Sequence, residues 1–149
     1  MAKKDKITRK DWSKKIREKL IEQAKKAQKH SYSPYSRYPV GAAVLGESGR
    51  IYTGCNVENA SFGLSMCAER TAIFKAISAG EKKIRDVCVV AKSATPCGAC
   101  RQVILEFAAK DANVICVDWQ PLAKKKEKVT VIRVSKLLLK PFDPSQAGL

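Results

Sequence analysis

The stretch that decides the fold runs from residue 67 to residue 117 and alternates two kinds of pattern. It reads CAERTAIFKAISAG (67–80), RDVCVVA (85–91), PCGACRQVILEFAAK (96–110) and NVICV (113–117). The first and third pieces have helical spacing, with Gly80 as a stop signal and Pro96 as a start signal. The second and fourth are short apolar runs typical of buried strands. Helices that alternate with strands predict an α/β layered sheet.

The flanking segments extend this scheme. Residues 11–29 have the pattern of an amphipathic helix, with apolar residues at Trp12, Ile16, Leu20, Ala24 and Ala27 and with Thr8 as its cap. Residues 40–45 and 50–56 flank GESG (46–49) and predict a hairpin. A last strand is predicted at 129–134 and a short helix at 136–139. On the helix that begins at residue 67, the buried face is predicted to contain Ile73, Phe74 and Ile77. With no repeat or linker, residues 1–149 are predicted to form a single domain, with a basic N-terminal tail at about residues 1–10.

Composition narrows the class of protein. The chain has 149 residues, 45% of them hydrophobic and 29% charged, so a disordered, collagen-like or coiled-coil chain is excluded. No apolar stretch is long enough to span a membrane, and the N-terminus has no secretory pattern, so we expect a cytoplasmic protein. The net charge is +15, and eleven of these charges come from residues 1–30 and 124–128. We expect solvated faces there rather than a nucleic-acid site, because no aromatic residues interleave the lysine run.

The six cysteines form two groups. Cys88 and Cys116 lie inside apolar runs, where a thiol packs as a small hydrophobe, and a packing role is also predicted for Cys55. The second group contains Cys67, Cys97 and Cys100, which lie at the starts of two predicted helices. Helix N-termini favour thiolates, and three sulfurs suit the tetrahedral ligation that zinc prefers.

Two kinds of zinc site remain open at this point. A structural site would need a fourth ligand, either another cysteine or His30, the one histidine of the chain. A catalytic site would leave the fourth position to water. Glu69 favours the catalytic site, because a carboxyl two residues after Cys67 can reach the open side of the metal and carry protons.

Four motifs in fixed order carry a family resemblance. They are YSPYSRYPVGAA (32–43), GCNVENA (54–60), CAERTA (67–72) and PCGACRQ (96–102). Together they resemble the small homotetrameric cytidine deaminases over most of the chain. The resemblance implies a three-layer αβα sandwich with a five-stranded mixed sheet. It also implies zinc-dependent hydrolysis of cytidine and deoxycytidine to uridine and deoxyuridine, with release of ammonia, in pyrimidine salvage.

The resemblance also assigns the chemical roles. Cys67, Cys97 and Cys100 match the ligands of one zinc ion per subunit, and Glu69 matches the residue that shuttles protons. Glu69 would activate a water for attack on the ring carbon C4, protonate the ring nitrogen N3 and then protonate the departing ammonia. Arg70 matches an arginine that hydrogen-bonds the ligand sulfurs and offsets their charge.

Further residues match positions that bind the nucleoside. Asn56 and Glu58 match the pair that holds the ribose 3′-hydroxyl. Tyr38 stands where the family usually has a phenylalanine against the base. The backbone N–H of Ala68 matches the group that binds the pyrimidine O2, and the carbonyl of Thr95 matches the one that faces the leaving amine.

Two aromatic residues are implied to act from a neighbouring subunit, and they make the expected assembly a homotetramer with shared active sites. Phe142 aligns with a C-terminal phenylalanine that reaches the neighbour's pocket. Phe62 replaces a tyrosine whose hydroxyl lies near the 5′-hydroxyl of the ribose, so that contact is in doubt.

Two alternatives to a nucleoside deaminase are retained. One is a deaminase of another aminopyrimidine or of cytosine within a nucleic acid, suggested by the net charge. The other is a zinc-stapled nucleic-acid-binding module without catalysis, which would leave Glu69 without a role.

Overall fold

The computed structural model describes residues 9–149, with side chains from Ser13 onward. It contains three α-helices, five strands and three short 3-10 helices. In chain order these are α1 (Arg9–Gln28), β1 (Gly41–Gly46), β2 (Ile51–Cys55), a 3-10 helix (Phe62–Leu64), α2 (Ala68–Ser78), β3 (Ile84–Ala91), α3 (Gly98–Phe107), β4 (Ala108–Asp118), β5 (Lys128–Arg133) and two further 3-10 helices (Val134–Lys136 and Pro144–Ala147).

The strands form one mixed sheet in the order β2-β1-β3-β4-β5. Strands β3 and β4 pair in parallel, with Cys88 opposite Ile115, and every other pair is antiparallel. The chain between β3 and β4 crosses over through α3, as a parallel pair requires. The prediction of a five-stranded mixed sheet is confirmed.

Both faces of this sheet are covered, which explains why its central strands are almost continuously apolar. On one face, Leu20 and Ala24 of α1 pack against Cys88 and its neighbours. On the other face, Ile73 of α2 and other helix residues pack in a cluster that contains Cys116. The three-layer αβα sandwich is therefore confirmed, and Cys88 and Cys116 are buried core residues as predicted.

Three predicted boundaries or faces are wrong. We expected the third helix to reach Lys110, but α3 ends at Phe107 and the chain enters β4 at Ala108 because Ala108 pairs with Ile84 of β3. Phe74 was expected in the buried stripe of α2, yet it is 41% exposed. The last strand ends at Arg133, and the short helix expected at 136–139 lies instead at Val134–Lys136, where buried Val134 begins a 3-10 helix.

Several expectations fall on the N-terminal region. Thr8 and most of the predicted basic tail lie outside the described residues, as does the side chain of Trp12. Within the described range, α1 buries Leu20, Ala24 and Ala27 as expected. No helix of residues 9–149 is both long and apolar enough to cross a membrane.

The described part of the first basic segment, residues 13–30, contacts the second, residues 124–128, and many side chains of both are exposed. Lys25 of α1 forms an ion pair with Glu127 of the lysine run and lies 4.6 Å above the ring of Trp119. This pair fixes the loop of residues 124–128 beside the C-terminal part of α1.

A close contact between β2 and α2 positions the functional region. A Cβ atom on Gly54 would lie 2.5 Å from the backbone nitrogen of Ala72 and 2.8 Å from the carbonyl oxygen of Ala68. Real Cβ atoms do not approach backbone so closely, so only glycine fits here. The contact places the residues that follow β2 beside the first turn of α2.

Candidate metal centre and active site

The three predicted metal ligands come together. Cys67 immediately precedes α2, Cys97 immediately precedes α3, and Cys100 lies in the first turn of α3. Their sulfur atoms all lie within 4.8 Å of one another, and the sulfurs of Cys67 and Cys97 are 3.8 Å apart. Two helix N-termini therefore converge on one cluster of thiols.

This spacing fits zinc. A tetrahedral ion with zinc–sulfur bonds of about 2.3 Å holds its sulfur ligands about 3.8 Å apart. Among residues 9–149, the cluster has no fourth histidine, cysteine or carboxylate. His30 does not serve as one; its carbonyl accepts a hydrogen bond from the thiol of Cys55 at 3.3 Å. The donor set is thus that of a zinc site with three protein ligands, which leaves one coordination position open.

The cluster favours negative charge on Cys67. A hydrogen bond from the thiol of Cys100 and the nearby guanidinium of Arg70 lower the pKa of Cys67 to about 5. The same hydrogen bond raises the pKa of Cys100. Nη2 of Arg70 lies 3.4 Å from the Cys67 sulfur, which is the contact that its predicted role requires. A thiolate is the form of cysteine that binds metal.

Glu69 lies in the first turn of α2 and is only 4% exposed. Burial, reinforced by the charge of Cys67, raises the pKa of this carboxyl to about 7. A carboxyl with such a pKa exists in both protonation states near neutral pH, as a group that first accepts and then donates a proton must. Glu69 is not part of the sulfur cluster, so it is free to act as a proton carrier.

A cavity of about 300 Å³ opens onto the cluster. Cys67, Cys97 and Glu69 line its floor together with four other predicted site residues, Tyr38, Asn56, Glu58 and Thr95. The remaining lining residues are Ser36, Val40, Val89, Ala91 and Ala94. The volume lies at the lower end of the range for small-molecule sites, which suits a compact substrate.

Asn56 and Glu58 are held rigidly at one side of this cavity. The amide nitrogen of Asn56 donates to the carbonyl of Tyr38 at 2.8 Å, and its amide oxygen accepts from the backbone N–H of Val40 at 2.9 Å. The carboxylate of Glu58 accepts from the backbone N–H and the hydroxyl of Ser36, and these hydrogen bonds lower its pKa. Each side chain retains hydrogen-bonding capacity for a ligand.

The two backbone groups predicted to contact the base are the N–H of Ala68 and the carbonyl of Thr95. Ala68 is buried as the first residue of α2, where a helix leaves its N–H groups without a carbonyl partner of its own. Thr95 lines the cavity directly, and no hydrogen bond from the described residues reaches its carbonyl. Tyr38 also lines the cavity, and its hydroxyl donates to the carbonyl of Lys92.

Comparison with known proteins shows which family the sequence matches. Residues 14–116 match the family model described as the cytidine and deoxycytidylate deaminase zinc-binding region. The chain belongs to this deaminase family.

Individual members of this family match the chain over most of their own length. A cytidine deaminase of Sporosarcina psychrophila is 55% identical over 93 residues, which cover 60% of this chain and 68% of that protein. A cytidine deaminase of Halalkalibacterium halodurans is 48% identical over 101 residues, covering 66% and 76%. The crystal structure of cytidine deaminase from Burkholderia pseudomallei superposes with a TM-score of 0.76 at 41% identity, over 84% of this chain and 98% of that one.

Two predicted residues of this family member lie outside its own cavity. Phe62 is 72% exposed and contacts the ring of Tyr35, with ring centroids 5.5 Å apart. Phe142 is 63% exposed and lies in a separate cavity beside Leu105 of α3. One chain therefore does not bring them to the metal centre, and their predicted action on a neighbouring subunit stays a prediction.

Sequence reasoning missed one polar residue of the deaminase cavity. Ser36 lines the cavity and hydrogen-bonds Glu58 through both its N–H and its hydroxyl. The turn signature of residues 33–36 was a signal for it, since serine hydroxyls in turns bond nearby polar groups.

Proposed function

We propose that the protein hydrolyses the exocyclic amine of cytidine and deoxycytidine, giving uridine and deoxyuridine plus ammonia. The reaction would serve pyrimidine salvage in the cytoplasm and use one Zn²⁺ per subunit. The observation that carries the proposal is the cluster of three cysteine sulfurs at zinc spacing beside a cavity that Cys67, Cys97 and a buried carboxyl, Glu69, line together. A zinc-stapled binding module without catalysis would not need that carboxyl.

The chemistry is divided between metal and protein. When bound, zinc supplies a nucleophilic water at neutral pH. Glu69 accepts a proton from the attacking water and passes it to the ring nitrogen N3. It then takes the remaining proton from the new hydroxyl group on C4 and delivers it to the amine, so that the C4–N bond breaks, ammonia leaves and a C4 carbonyl remains. Its burial and near-neutral pKa suit one carboxyl to both roles. Arg70 balances the negative charge of the sulfur ligands through its contact with Cys67.

The other predicted site residues orient the nucleoside. Asn56 and Glu58 hold the 3′-hydroxyl of the ribose, and Tyr38 packs against the base. The N–H of Ala68 binds the pyrimidine O2, and the carbonyl of Thr95 accepts from the amine. Both sugar-binding side chains are fixed by hydrogen bonds before substrate arrives, which favours productive orientation.

A free nucleoside fits this arrangement better than cytosine in a nucleic acid. A donor and an acceptor that grip the 3′-hydroxyl leave no room for a 3′-phosphate. Another aminopyrimidine lacking the ribose would leave Asn56 and Glu58 without a ligand.

The assembly that we propose is a homotetramer with shared active sites. Phe62 and Phe142, both exposed in the single chain, would complete the site of a neighbouring subunit.

The proposed reaction is tested by Glu69→Gln, which keeps the size and hydrogen bonding of the side chain but cannot carry a proton. We expect wild type to convert cytidine and deoxycytidine, and the change in ultraviolet absorbance measures the conversion. The variant should lose at least about a hundredfold in kcat, in line with the contribution of general acid–base catalysis. Zinc content and thermal unfolding of the variant should match wild type.

Three results would contradict the proposal. Zinc-loaded wild type without turnover of either nucleoside would direct the search to other aminopyrimidines. Turnover of a single-stranded oligonucleotide faster than that of cytidine would favour a nucleic-acid deaminase. Full activity in Glu69→Gln would remove Glu69 from the mechanism.

A further inference from the structure

A hydroxyl group joins two segments of the chain that line the cavity. Tyr38 lies three residues before β1 and lines the cavity, and its hydroxyl donates to the carbonyl of Lys92, the residue that follows β3, the strand paired with β1. Lys92 begins residues 92–95, which connect β3 to the start of α3 and are called the 92–95 segment below. Ala94 and Thr95 of this segment line the same cavity. The hydroxyl therefore ties Tyr38 to the 92–95 segment, and both line the cavity.

A second tie reaches the 92–95 segment from β4. The carboxylate of Asp118, the last residue of β4, accepts a hydrogen bond from the backbone N–H of Ser93 at 2.7 Å. Ser93 has a φ of +52°, in the left-handed region that residues other than glycine rarely occupy. Such a conformation persists only where its surroundings hold it. Tyr38 and Asp118 hold the two residues that make this turn.

The far end of the segment is fixed as well. Pro96 is buried, and its carbonyl accepts a hydrogen bond from the side chain of Arg101 at 2.9 Å. Thr95 lies between these fixed points, and its carbonyl receives no hydrogen bond from the described residues. The position of that carbonyl in the cavity therefore depends on the ties at both ends.

We propose that the Tyr38 hydroxyl is a latch that sets the position of the 92–95 segment and thereby limits the size of the amine that the site accepts. The inference rests on the proposed function, because the leaving amine is the substrate group assigned to Thr95. The ring of Tyr38 contacts substrate, whereas its hydroxyl is a positioning group that acts through Lys92.

The test is Tyr38→Phe, which keeps the ring and removes only the hydroxyl. Two substrates are compared, cytidine and cytidine that carries a methyl group on its exocyclic amine. For cytidine we expect kcat to fall about twofold to tenfold, the range for loss of one neutral hydrogen bond, with KM changed less than twofold because the ring still packs against the base. Loss of the hydroxyl should loosen the 92–95 segment and make room for the methyl group of the methylated substrate. The ratio of its kcat/KM to that of cytidine should therefore rise by at least the same factor.

Matched variants separate the latch from a general loss of structure. Asp118→Ala removes the second tie and should raise the ratio in the same direction. Asp118→Asn keeps an oxygen acceptor for the Ser93 N–H and should restore the wild-type ratio. Tyr32→Phe is the control, because Tyr32 is exposed and its hydroxyl has no hydrogen bond among the described residues.

The outcomes distinguish the latch from the proposed function. If wild type converts cytidine and Tyr38→Phe leaves the substrate ratio unchanged, the latch is overturned while the deaminase function stands. An equal rise in Tyr32→Phe also overturns it. If wild type converts neither substrate, the proposed function fails and the latch fails with it.

Discussion

Arg70 links the metal centre to the rest of α2. Its guanidinium donates to the sulfur of Cys67 through Nη2, while its buried Nε atom has no hydrogen-bond partner among the described residues. Three thiolates on a divalent ion carry a net negative charge, which weakens the power of the metal to acidify water. A cation in contact with one sulfur opposes that effect.

We therefore expect Arg70→Ala to weaken zinc binding about 10- to 100-fold, as loss of a partner that supports a metal ligand usually does. The measurement is competition for zinc with a chelating indicator. Arg70→Lys keeps the charge but not the planar fork and should fall between wild type and Arg70→Ala. Equal zinc affinity in all three proteins would show that the contact with Cys67 has no role in metal binding.

The metal-binding residues were predictable from the sequence because local signals define them. Cys67, Cys97 and Cys100 lie at helix starts that the sequence marks, and the structure confirms that they could hold one ion. The roles of Glu69 and of the nucleoside-binding residues stay predictions. The ties of the 92–95 segment were not predictable, because they join residues 25 and 54 positions apart without any local pattern.

The packing of β2 against α2 depends on the absence of a side chain at Gly54. A methyl group there would meet the backbone of α2 at 2.5 Å, and backbone cannot move aside as the end of a side chain can. Gly54→Ala should therefore destabilise the protein by about 1–3 kcal/mol, the usual range for overpacking. Urea unfolding measures this difference.

Gly63→Ala is the matched control for this substitution. A Cβ atom on Gly63 would meet nothing within 4 Å, so its free energy of unfolding should stay close to that of wild type. Because Gly54 lies two residues before Asn56, which is proposed to bind the sugar, its variant should lose activity along with stability. Equal stability of the two variants would contradict the close contact of β2 with α2.

Helices and strands were predictable where the hydrophobic periodicity was clear, and their boundaries were wrong where strand pairing decides the conformation. The valine-rich runs of β3 and β4 and the stop at Gly80 gave correct elements, and Gly80 has the positive φ expected of a helix terminator. The predicted boundary between α3 and β4 was wrong because the sequence of residues 108–110 suits a helix. Pairing of Ala108 with Ile84 of β3 decides their conformation, and such pairing is not visible in a local pattern.

The proposed assembly concerns the whole molecule. Six large apolar side chains of the described residues are strongly exposed in the single chain and lie outside the cavity, namely Phe62, Leu64, Leu122, Leu139, Phe142 and Leu149. Contiguous apolar patches mark protein interfaces, and Phe62 and Leu64 lie next to each other on one 3-10 helix. We expect light scattering to give four times the mass of one chain.

Sharing of active sites has its own readout in the same experiment. Glu69→Gln and Phe142→Ala should each be poorly active alone, since each damages a different part of every site. Co-assembled subunits of both variants should regain activity, because some sites then combine an intact Glu69 with an intact Phe142. A monomer mass, or no recovery in mixed assemblies, would contradict the shared site.

The sheet order leaves β2 and β5 as edge strands within the chain. Edge strands invite pairing with strands of other molecules, and lysine is a residue that natural proteins use to prevent it. β5 begins at Lys128, ends at Arg133 and follows directly on the lysine run of residues 124–128. The positive charges of Lys124, Lys125, Lys126, Lys128 and Arg133 thus lie at or beside an open strand edge, where they would repel another copy of the same edge and oppose aggregation.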